Sequence, residues 1–591
     1  MNVALRSGMN TRRIALIALL FAFLVPVRGL AASPQGWQHK LDNALKQALK
    51  KGNAPQRVIV QATAGQEDNV RNLLRGKGKI DAEHPSIKAF SALLNTKDLR
   101  ELAESDSVEN LSIDAEVAAD QDVTAESYTV NGGGNSTSGA RLRATLGLDQ
   151  SSLTGRNVGV AVVDSGIADK AEFSDRIVAF YDFTQGGRAV SPSDDFGHGT
   201  HVAGLIGADG STSYGEFQGV APGVRLIGLK VLDASGAGYT SNVISAIEFA
   251  TANKRALGVD IINLSLGHPI FESAKTDPLV LAVEKAVAAG IVVVCSAGNI
   301  GVNPSTGLVG YAGITSPGNA RSAVTVGAVD GHATTTRRDD RVADYSSRGP
   351  TWYDAYAKPD VVAPGQGLIS SAATHSKLYL SRANDRVTSG TGYHFLRLNG
   401  SSMAAAVTSG VAALVIRSHR YYRPYTHDLT TSAVRAILEF SAIPVTTANG
   451  TPYDALTQGT GQVNAAGAIK LAAAVDTSGR LGEPSLLYHV APATYIAGLQ
   501  LAWSQNIIWG DNIVWSEEAE WGDNIVWGEN IVWSENIVWS ENIIWSDNVV
   551  WGDCLVGTDS NGATVWGVVQ RPDLTVWGNI SATSLVPGGI L

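Results

Sequence analysis

One short stretch of the 591-residue chain, Asn399 to Gly410, could present a reactive hydroxyl group. It is small and polar at Asn399-Gly400-Ser401-Ser402, and it then becomes apolar and compatible with a helix. The first N–H groups of a helix have no partners within the helix, and the helix dipole favours negative charge there. Ser402 at such a position could act as a nucleophile, because an oxyanion that forms beside it would be stabilised. Serines before an alanine-rich run are also ordinary helix N-caps.

Two further stretches carry a carboxylate and an imidazole. The run Val160–Val163 ends at Asp164-Ser165-Gly166, which places a carboxylate at the end of a predicted strand. Such a motif is more often a strand-ending turn, and aspartic proteases would need a second copy, which the sequence lacks. His198 follows, between two glycines, and a neutral imidazole is the usual base for a serine hydroxyl. Asp164 and His198 are therefore candidates for an orienting acid and a base.

The remaining candidates are His201 and Asn299. His198 and His201 could instead hold a metal, but no Glu or Cys accompanies them at ligand spacing, and we interpret His201 as structural. Asn299 ends another β-branched run, in Ser296-Ala297-Gly298-Asn299. A carboxamide there could donate an N–H to a developing oxyanion, although alone it is equally a turn residue.

In the order Asp, His, Asn, Ser, these stretches resemble the subtilisin-like serine peptidases (subtilases) over residues 140–475. The resemblance rests on Val-Val-Asp164-Ser-Gly, His198-Gly-Thr-His-Val-Ala-Gly, Ser-Ala-Gly-Asn299 and Gly-Ser-Ser402-Met-Ala. It implies that Ser402 is the nucleophile, that His198 transfers its proton to the leaving amine, and that Asp164 fixes the imidazole. It also implies an oxyanion hole formed by Asn299 and the backbone N–H of Ser402.

The resemblance further implies where substrate binds and what the reaction requires. Substrate would add as a strand between two segments, Gly236-Ala237-Gly238 and Ser265-Leu266-Gly267. The chemistry needs no cofactor. Many subtilases bind structural calcium, but residues 209–216 carry no calcium pattern that we recognise, so any metal site stays unplaced. The chain departs from the family in having Ser401 and Ala406 where Thr and Pro are usual.

The texture of residues 140–475 predicts an α/β fold with a doubly wound, mostly parallel sheet. Short β-branched runs begin near 158, 225, 261, 291 and 323, and helical stretches such as 241–256 and 277–289 lie between them. Strands that are apolar almost throughout and alternate with helices indicate a parallel sheet covered on both faces. Ligand sites in such folds lie beyond the carboxyl ends of the strands, where the candidate residues fall.

The N-terminal third predicts export and processing. Arginines followed by an apolar run and small residues are typical of a signal peptide, here 1–32. Residues 55–120 have a β-α-β-α-β pattern, which predicts a small α+β domain that resembles the subtilase propeptide. The glycine- and serine-rich segment 121–139 is a linker and processing region. We expect self-cleavage within 117–140, after which the C-terminal end of the prodomain lies in the active-site cleft; the alternative is a permanent accessory domain.

The C-terminal region, 476–591, carries a tryptophan every six residues from Trp503 to Trp551. An even period predicts an extended β-type repeat, in which Ile and Trp share one face. The aromatic face could contact a surface, a carbohydrate or another chain, or the region could be a partly disordered, low-complexity tail. The sequence does not decide among these.

Composition narrows the class of partner. The net charge of −10 argues against nucleic acid, and the two cysteines do not form a disulfide framework. We expect no stretch after the N-terminus to be long and apolar enough to span a membrane. The sequence thus predicts a secreted or cell-surface serine endopeptidase that acts on proteins or peptides, with its own propeptide as inhibitor. The alternative is a surface adhesion or structural protein whose subtilase domain is inactive.

Overall fold

The computed structural model describes residues 37–52, 54–77, 80–119, 139–149, 151–302, 308–478 and 486–509, with short strands at 512–514, 554–558, 564–568, 575–576 and 585–587. The predicted signal peptide, the processing region 121–138 and most of the tryptophan repeat lie outside the described residues.

The strands up to residue 398, in chain order, are β1 Gln56–Ala62, β2 Ile80–His84, β3 Ala89–Leu94, β4 Val108–Ile113, β5 Glu116–Ala119, β6 Gly159–Asp164, β7 Ile177–Asp182, β8 Arg188–Ala189, β9 Arg225–Lys230, β10 Ala237–Tyr239, β11 Ile261–Leu264, β12 Leu266–Gly267, β13 Val292–Ser296, β14 Gly310–Tyr311, β15 Val324–Asp330, β16 Arg341–Val342, β17 Val361–Pro364, β18 Leu368–Ser371, β19 Arg386–Thr388 and β20 His394–Leu398.

The α-helices are α1 Asn43–Lys51, α2 Glu67–Arg75, α3 Thr96–Ala103, α4 Gly139–Thr145, α5 His198–Gly207, α6 Thr240–Ala252, α7 Lys254–Leu257, α8 Pro278–Ala288, α9 Lys377–Ser381, α10 Ser401–Tyr422, α11 Thr431–Phe440, α12 Ala455–Gln458 and α13 Ala465–Ala474.

The N-terminal unit is a four-stranded antiparallel sheet in the order β2-β3-β1-β4, and it has its own apolar core. It contains one strand more than the sequence pattern indicated, because β2 alternates exposed and partly buried residues and lacks a continuous apolar run. The strand expected over 108–117 is two strands. β4 completes the small sheet, whereas β5 leaves it and pairs with β10 and β12 of the following domain.

The larger domain is built on a sheet of nine strands in the order β16-β15-β13-β11-β6-β9-β7-β8, with β17 also paired to β15. β7, β9, β6, β11, β13, β15 and β17 are parallel, and the two edge strands β8 and β16 are antiparallel. Val160 and Val162 of the central strand point into one core cluster, and Ala161 and Val163 point into the other. Both faces are therefore buried, as continuous apolar strands require.

Helix α10 lies at the centre of one of these clusters. It packs on α5, α13, β11 and β13, and its residues from Ser401 to Val415 are all buried. By length and composition α10 could also cross a membrane, which corrects the expectation that no stretch after the N-terminus would qualify. The most apolar 18-residue stretch of α10 is 94% buried inside the protein, so α10 is the core helix of this domain.

The chain from 486 to 507 packs on the larger domain. β21 Ala493–Ile496 and β22 Leu499–Ala502 form a hairpin, and two further strands, β23 Ile507–Trp509 and β24 Asn512–Val514, pair after it. Trp503, the first tryptophan of the repeat, meets the ring of Phe440 edge-on at 6.2 Å. Its indole N–H donates to Thr494 Oγ1 at 2.7 Å, so its polar atom is satisfied although the side chain is buried.

Candidate active site

The carboxylate of Asp164 and the imidazole of His198 form a buried pair. Asp164 is the last residue of the central strand β6, and His198 is the first residue of α5. His198 Nδ1 lies 2.9 Å from both carboxylate oxygens of Asp164. Gly197, at φ 104°, forms the sharp entry into α5. This contact fixes the tautomer of the imidazole and leaves Nε2 as the nitrogen that could accept a proton.

Ser402 lies in the first turn of α10, as its sequence context predicts. The helix begins at Ser401, and the preceding Gly400 has φ 148°. The Ser402 hydroxyl is 3.2 Å from the carbonyl oxygen of Ser265, just beyond β11. Because α10 packs on α5 and β11, Ser402 lies at the same end of the sheet as Asp164 and His198. Ala406, where the family usually has Pro, is buried within the same helix.

The carboxamide of Asn299 is oriented by Ser401. Its Oδ1 accepts hydrogen bonds from the backbone N–H of Ser401 at 2.9 Å and from the Ser401 hydroxyl at 3.0 Å. The hydroxyl in turn accepts from the N–H of Gly298 at 3.2 Å. With Oδ1 held in this way, the amide Nδ2 of Asn299 faces the Gly400 side, where a Cβ on Gly400 would lie 3.3 Å from it. Asn299 is thus placed to donate to an oxyanion formed on Ser402.

A buried polar ladder that the sequence motifs did not reveal joins α10 to β11. Ser265 Oγ donates to the carbonyl of Ser402 at 3.0 Å and accepts from Asn263 Nδ2 at 2.9 Å. The Asn263 side-chain oxygen accepts from Ser409 Oγ at 2.9 Å. The signal that could have indicated Asn263 is a polar residue within an otherwise apolar strand, since such a group must find a partner when buried.

His201 has a different environment from His198. Its Nε2 lies 3.1 Å from the carbonyl oxygens of both Leu368 and Leu396, and the ring is fully buried. Burial and, to a smaller extent, the neighbouring His198 lower the pKa of His201 to about 3. A neutral His201 that donates to backbone carbonyls joins α5 to β18 and β20. In the part of the chain that the structure describes, no three His, Cys, Asp or Glu side chains are grouped so as to hold a metal.

The two predicted substrate-binding segments flank a strand of the N-terminal unit. β5 lies between β10 and β12 and is antiparallel to both. Ala118 is opposite Ala237 on one side and Gly267 on the other, and the Ala119 N–H donates to the carbonyl of Gly236 at 3.1 Å. Gly238 pairs with Val117, and Leu266 pairs with Ala119. The segments that contain Gly236, Ala237, Gly238, Ser265, Leu266 and Gly267 thus form a cleft occupied by the protein's own chain.

The chain order Asp, His, Ser around a parallel α/β sheet defines one class among the convergent Ser-His-Asp enzymes, the subtilisin-like serine peptidases. Comparison with known proteins agrees with this class. Residues 155–467 match the model of the subtilase family. The chain therefore belongs to the subtilase family, a family of serine endopeptidases.

Individual relatives cover different parts of the chain. Serine protease AprX of Bacillus subtilis is 38% identical over 292 residues, which are 49% of this chain and 61% of AprX. Subtilisin DY of Bacillus licheniformis is 36% identical over 266 residues, which are 45% of this chain and 78% of that protein. Fervidolysin of Fervidobacterium pennivorans shares the fold, with a TM-score of 0.54 at 23% identity over 71% of this chain and 61% of its own.

Proposed function

We propose that this protein is a secreted serine endopeptidase that hydrolyses peptide bonds through an acyl-enzyme on Ser402 and is made as a self-processed zymogen. The observation that carries the proposal is the position of β5. This strand continues from the N-terminal unit and fills the cleft between β10 and β12. It occupies that cleft as an extended peptide substrate would, bound through main-chain hydrogen bonds.

The geometry supports a division of roles among the three side chains. His198 Nε2 takes the proton of the Ser402 hydroxyl during attack on the scissile carbonyl, and it later gives the proton to the leaving amine. Asp164 stabilises the imidazolium that forms, through its contacts at 2.9 Å with Nδ1. The oxyanion of the tetrahedral intermediate receives hydrogen bonds from Asn299 Nδ2 and the N–H of Ser402. A water molecule then hydrolyses the acyl-enzyme by the reverse sequence of proton transfers.

The register of β5 supports self-processing within the predicted segment 117–140. Ala119, its last residue, is opposite Leu266. The neighbouring residue Ser265 bears the carbonyl that accepts the hydroxyl of Ser402 at 3.2 Å. The strand therefore ends close to the nucleophile, and we assign residues 55–120 as the inhibitory propeptide and 121–139 as the processing region.

Export and the role of the C-terminal region belong to the same proposal. The N-terminal sequence supports a signal peptide at 1–32 and a secreted or cell-surface location. Proteins or peptides are the substrates, and no cofactor enters the chemistry. The repeats within 476–591 would contact a surface or another chain, and structural calcium remains without an assigned site.

Substitution of the nucleophile tests the proposal directly. We expect Ser402→Ala to accumulate as a longer chain that retains its propeptide, because the hydroxyl that attacks the processing bond is gone. Mass spectrometry of the purified protein and N-terminal sequencing would measure this. Ser211→Ala, which removes an exposed hydroxyl elsewhere, is the matched control and should process normally. Export of Ser402→Ala with the wild-type processed N-terminus would show that another peptidase, and not self-cleavage, processes the chain.

The inactive-domain alternative makes a separate prediction. Processed, folded wild-type protein should form a covalent adduct with an organophosphonate probe on Ser402, and the Ser402→Ala variant should not. Absence of an adduct on folded wild-type protein would favour the adhesion or structural role.

A further inference from the structure

A second buried carboxylate, Asp194, bonds to the residues that neighbour the Asp164–His198 pair in sequence, Ser165, Gly197 and Thr200. Its Oδ1 accepts from the Ser165 hydroxyl at 2.9 Å and from the N–H of Gly197 at 2.7 Å. Its Oδ2 accepts from the N–H of Thr200 at 2.8 Å and from the Thr200 hydroxyl at 2.6 Å. Asp194 is thus buried, with only 7% of its surface exposed, and its carboxylate accepts four hydrogen bonds.

The donors to Asp194 belong to the two segments that carry the catalytic pair. Ser165 follows Asp164 directly at the end of β6, whereas Gly197 and Thr200 flank His198 at the start of α5. The same hydroxyls also bond in the opposite direction: Ser165 Oγ accepts from the N–H of Gly199 at 3.0 Å, and Thr200 Oγ1 accepts from the N–H of Ala168 at 2.9 Å. The Asp194 carboxylate therefore links the end of strand β6, which bears Asp164, to the start of helix α5, which bears His198.

The N-terminus of helix α5 explains why a carboxylate is suited to position 194. The N-cap residue of α5 is Gly197, which has no side chain to cap the first turn. Asp194 satisfies the N–H of Thr200 in its place, and negative charge is favoured at this end of the helix. Burial raises the pKa of Asp194, and the hydrogen bonds from Thr200, Gly197 and Ser165 oppose that rise.

We propose that Asp194 is a positioning residue that sets the geometry of the Asp164–His198 pair, an inference that rests on the proposed peptidase activity. A substitution at Asp194 should slow the chemical step, although Asp194 itself does not contact the substrate. Small errors in the position of a catalytic group are costly, since a displacement of about 1 Å can reduce the rate about 10²-fold.

The test compares two adjacent carboxylates in the full chain. Asp194→Asn keeps the volume but turns an NH₂ group towards donors that need an acceptor. Asp195→Asn is the matched control, because the Asp195 side chain is 64% exposed and its ion pair with Lys230, at 3.6 Å, is a weak, solvent-screened contact. Both variants are processed and assayed on a chromogenic peptide substrate, and the concentration of active sites is determined by titration with the organophosphonate probe. Detectable turnover by the wild type is established first, so failure of the proposed function is seen before any variant is judged.

For Asp194→Asn we expect kcat per titrated site to fall about 10²-fold with KM within about twofold of the wild type. We also expect the acidic limb of the kcat/KM profile to move to lower pH, because a misplaced Asp164 stabilises the imidazolium less. Asp195→Asn should leave kcat and this limb within about twofold. An Asp194→Asn protein that melts earlier but keeps the wild-type kcat per titrated site and the wild-type pH profile would overturn the inference.

A milder variant keeps the test decisive if Asp194→Asn does not fold. Thr200→Val retains the shape of the side chain and removes its hydroxyl, which donates to Asp194 Oδ2 and accepts from the N–H of Ala168. We expect a several-fold loss of kcat at unchanged KM in a folded, processed protein. A wild-type kcat in folded Thr200→Val together with an unchanged pH profile would contradict the proposal.

Discussion

Asn299 depends on its neighbour in space, Ser401, for its orientation. The two residues are 102 positions apart in sequence, yet the N–H and hydroxyl of Ser401 both bond to the Asn299 side-chain oxygen. The family usually has Thr at this position, and Ser401 retains the hydroxyl that the interaction needs. The departure from the motif therefore preserves the hydrogen bond between this hydroxyl and the Asn299 side-chain oxygen.

We expect Asn299→Ala to lower kcat about 10²- to 10³-fold with little change in KM, because its amide acts only on the charge that develops in the transition state. This magnitude is the one known for the corresponding donor of subtilisin, which is a relative. Steady-state kinetics on a peptide substrate would measure it. Asn384→Ala, at an exposed position, is the control and should not change kcat. A rise of KM by the factor expected for kcat, with kcat unchanged, would show that Asn299 stabilises the bound substrate and not the transition state.

Among the secondary-structure elements, helix α6 begins at residues whose first N–H groups are bonded by the N-terminal unit. Its N-cap residue Tyr239 makes no side-chain cap. Asp114 of the N-terminal unit instead accepts from the N–H of Ser241 at 2.8 Å and from the Ser241 hydroxyl at 2.9 Å. The N–H of Thr240 donates to the carbonyl of Ala115 at 2.9 Å. The N-terminal unit thus contacts the larger domain through a helix end as well as through β5.

We expect Asp114→Ala to weaken propeptide binding by about 1 kcal/mol or more, the usual loss for a helix cap. Arg57, whose guanidinium is 3.1 Å from Asp114, would lose that carboxylate and keep Asp81, which lies 3.6 Å away. Co-elution of the cleaved propeptide with the peptidase domain on size exclusion would measure the effect. Asp106→Ala, at an exposed position of the same unit, should bind as the wild type does. If both variants retained the cleaved propeptide equally, the cap that Asp114 provides to α6 would not contribute to propeptide binding.

For the whole molecule, the interface between the N-terminal unit and the larger domain encloses a group of carboxyls. Asn110 Nδ2 of the N-terminal unit donates to Glu272 at 2.7 Å, and the charges of Asp42 and Asp277 also act on Glu272. Burial, followed by the charges of Asp277 and Asp42, raises the pKa of Glu272 to about 8. Burial also raises the pKa of Asp42 to about 6, against backbone hydrogen bonds and Lys46, which lower it.

These shifts predict that the propeptide binds more weakly as the pH rises. Both carboxyls bind protons more tightly in the complex than at their ordinary pKa values of 4.5 and 3.8. Their contribution to binding is therefore complete at acidic pH, and for Glu272 it is lost between about pH 4.5 and pH 8. We expect the fraction of cleaved propeptide that co-elutes with the peptidase to fall across this range, with affinity reduced at least about tenfold.

Glu272→Gln should make propeptide retention less dependent on pH, because a neutral amide replaces the titrating group. The matched control Glu216→Gln, in an exposed loop of the same domain, should keep the wild-type dependence. Retention that increases with pH in the wild type, or an unchanged profile in Glu272→Gln, would contradict the prediction.

The sequence by itself determined the features that are encoded locally. Continuous apolar strands and the intervening helices indicated a doubly wound sheet. Five of its seven parallel strands begin within about a residue of the expected positions, whereas β7 and β17 were not expected. The motifs around Asp164, His198, Asn299 and Ser402 each lie within a few consecutive residues, so their family resemblance could be read directly. The weakly apolar strand β2 had no such local signal.

The tertiary structure alone decided which groups meet. The partners of Asp164, Asn299 and Ser402 lie 34, 102 and 137 residues away, and hydrogen bonds over such separations depend on how the sheet and helices pack. The same holds for Asp194, for the passage of β5 into the cleft and for the carboxyls around Glu272. Whether a carboxyl is solvated, capped or buried against another charge is set by neighbours from distant parts of the chain, and a sequence pattern does not contain that information.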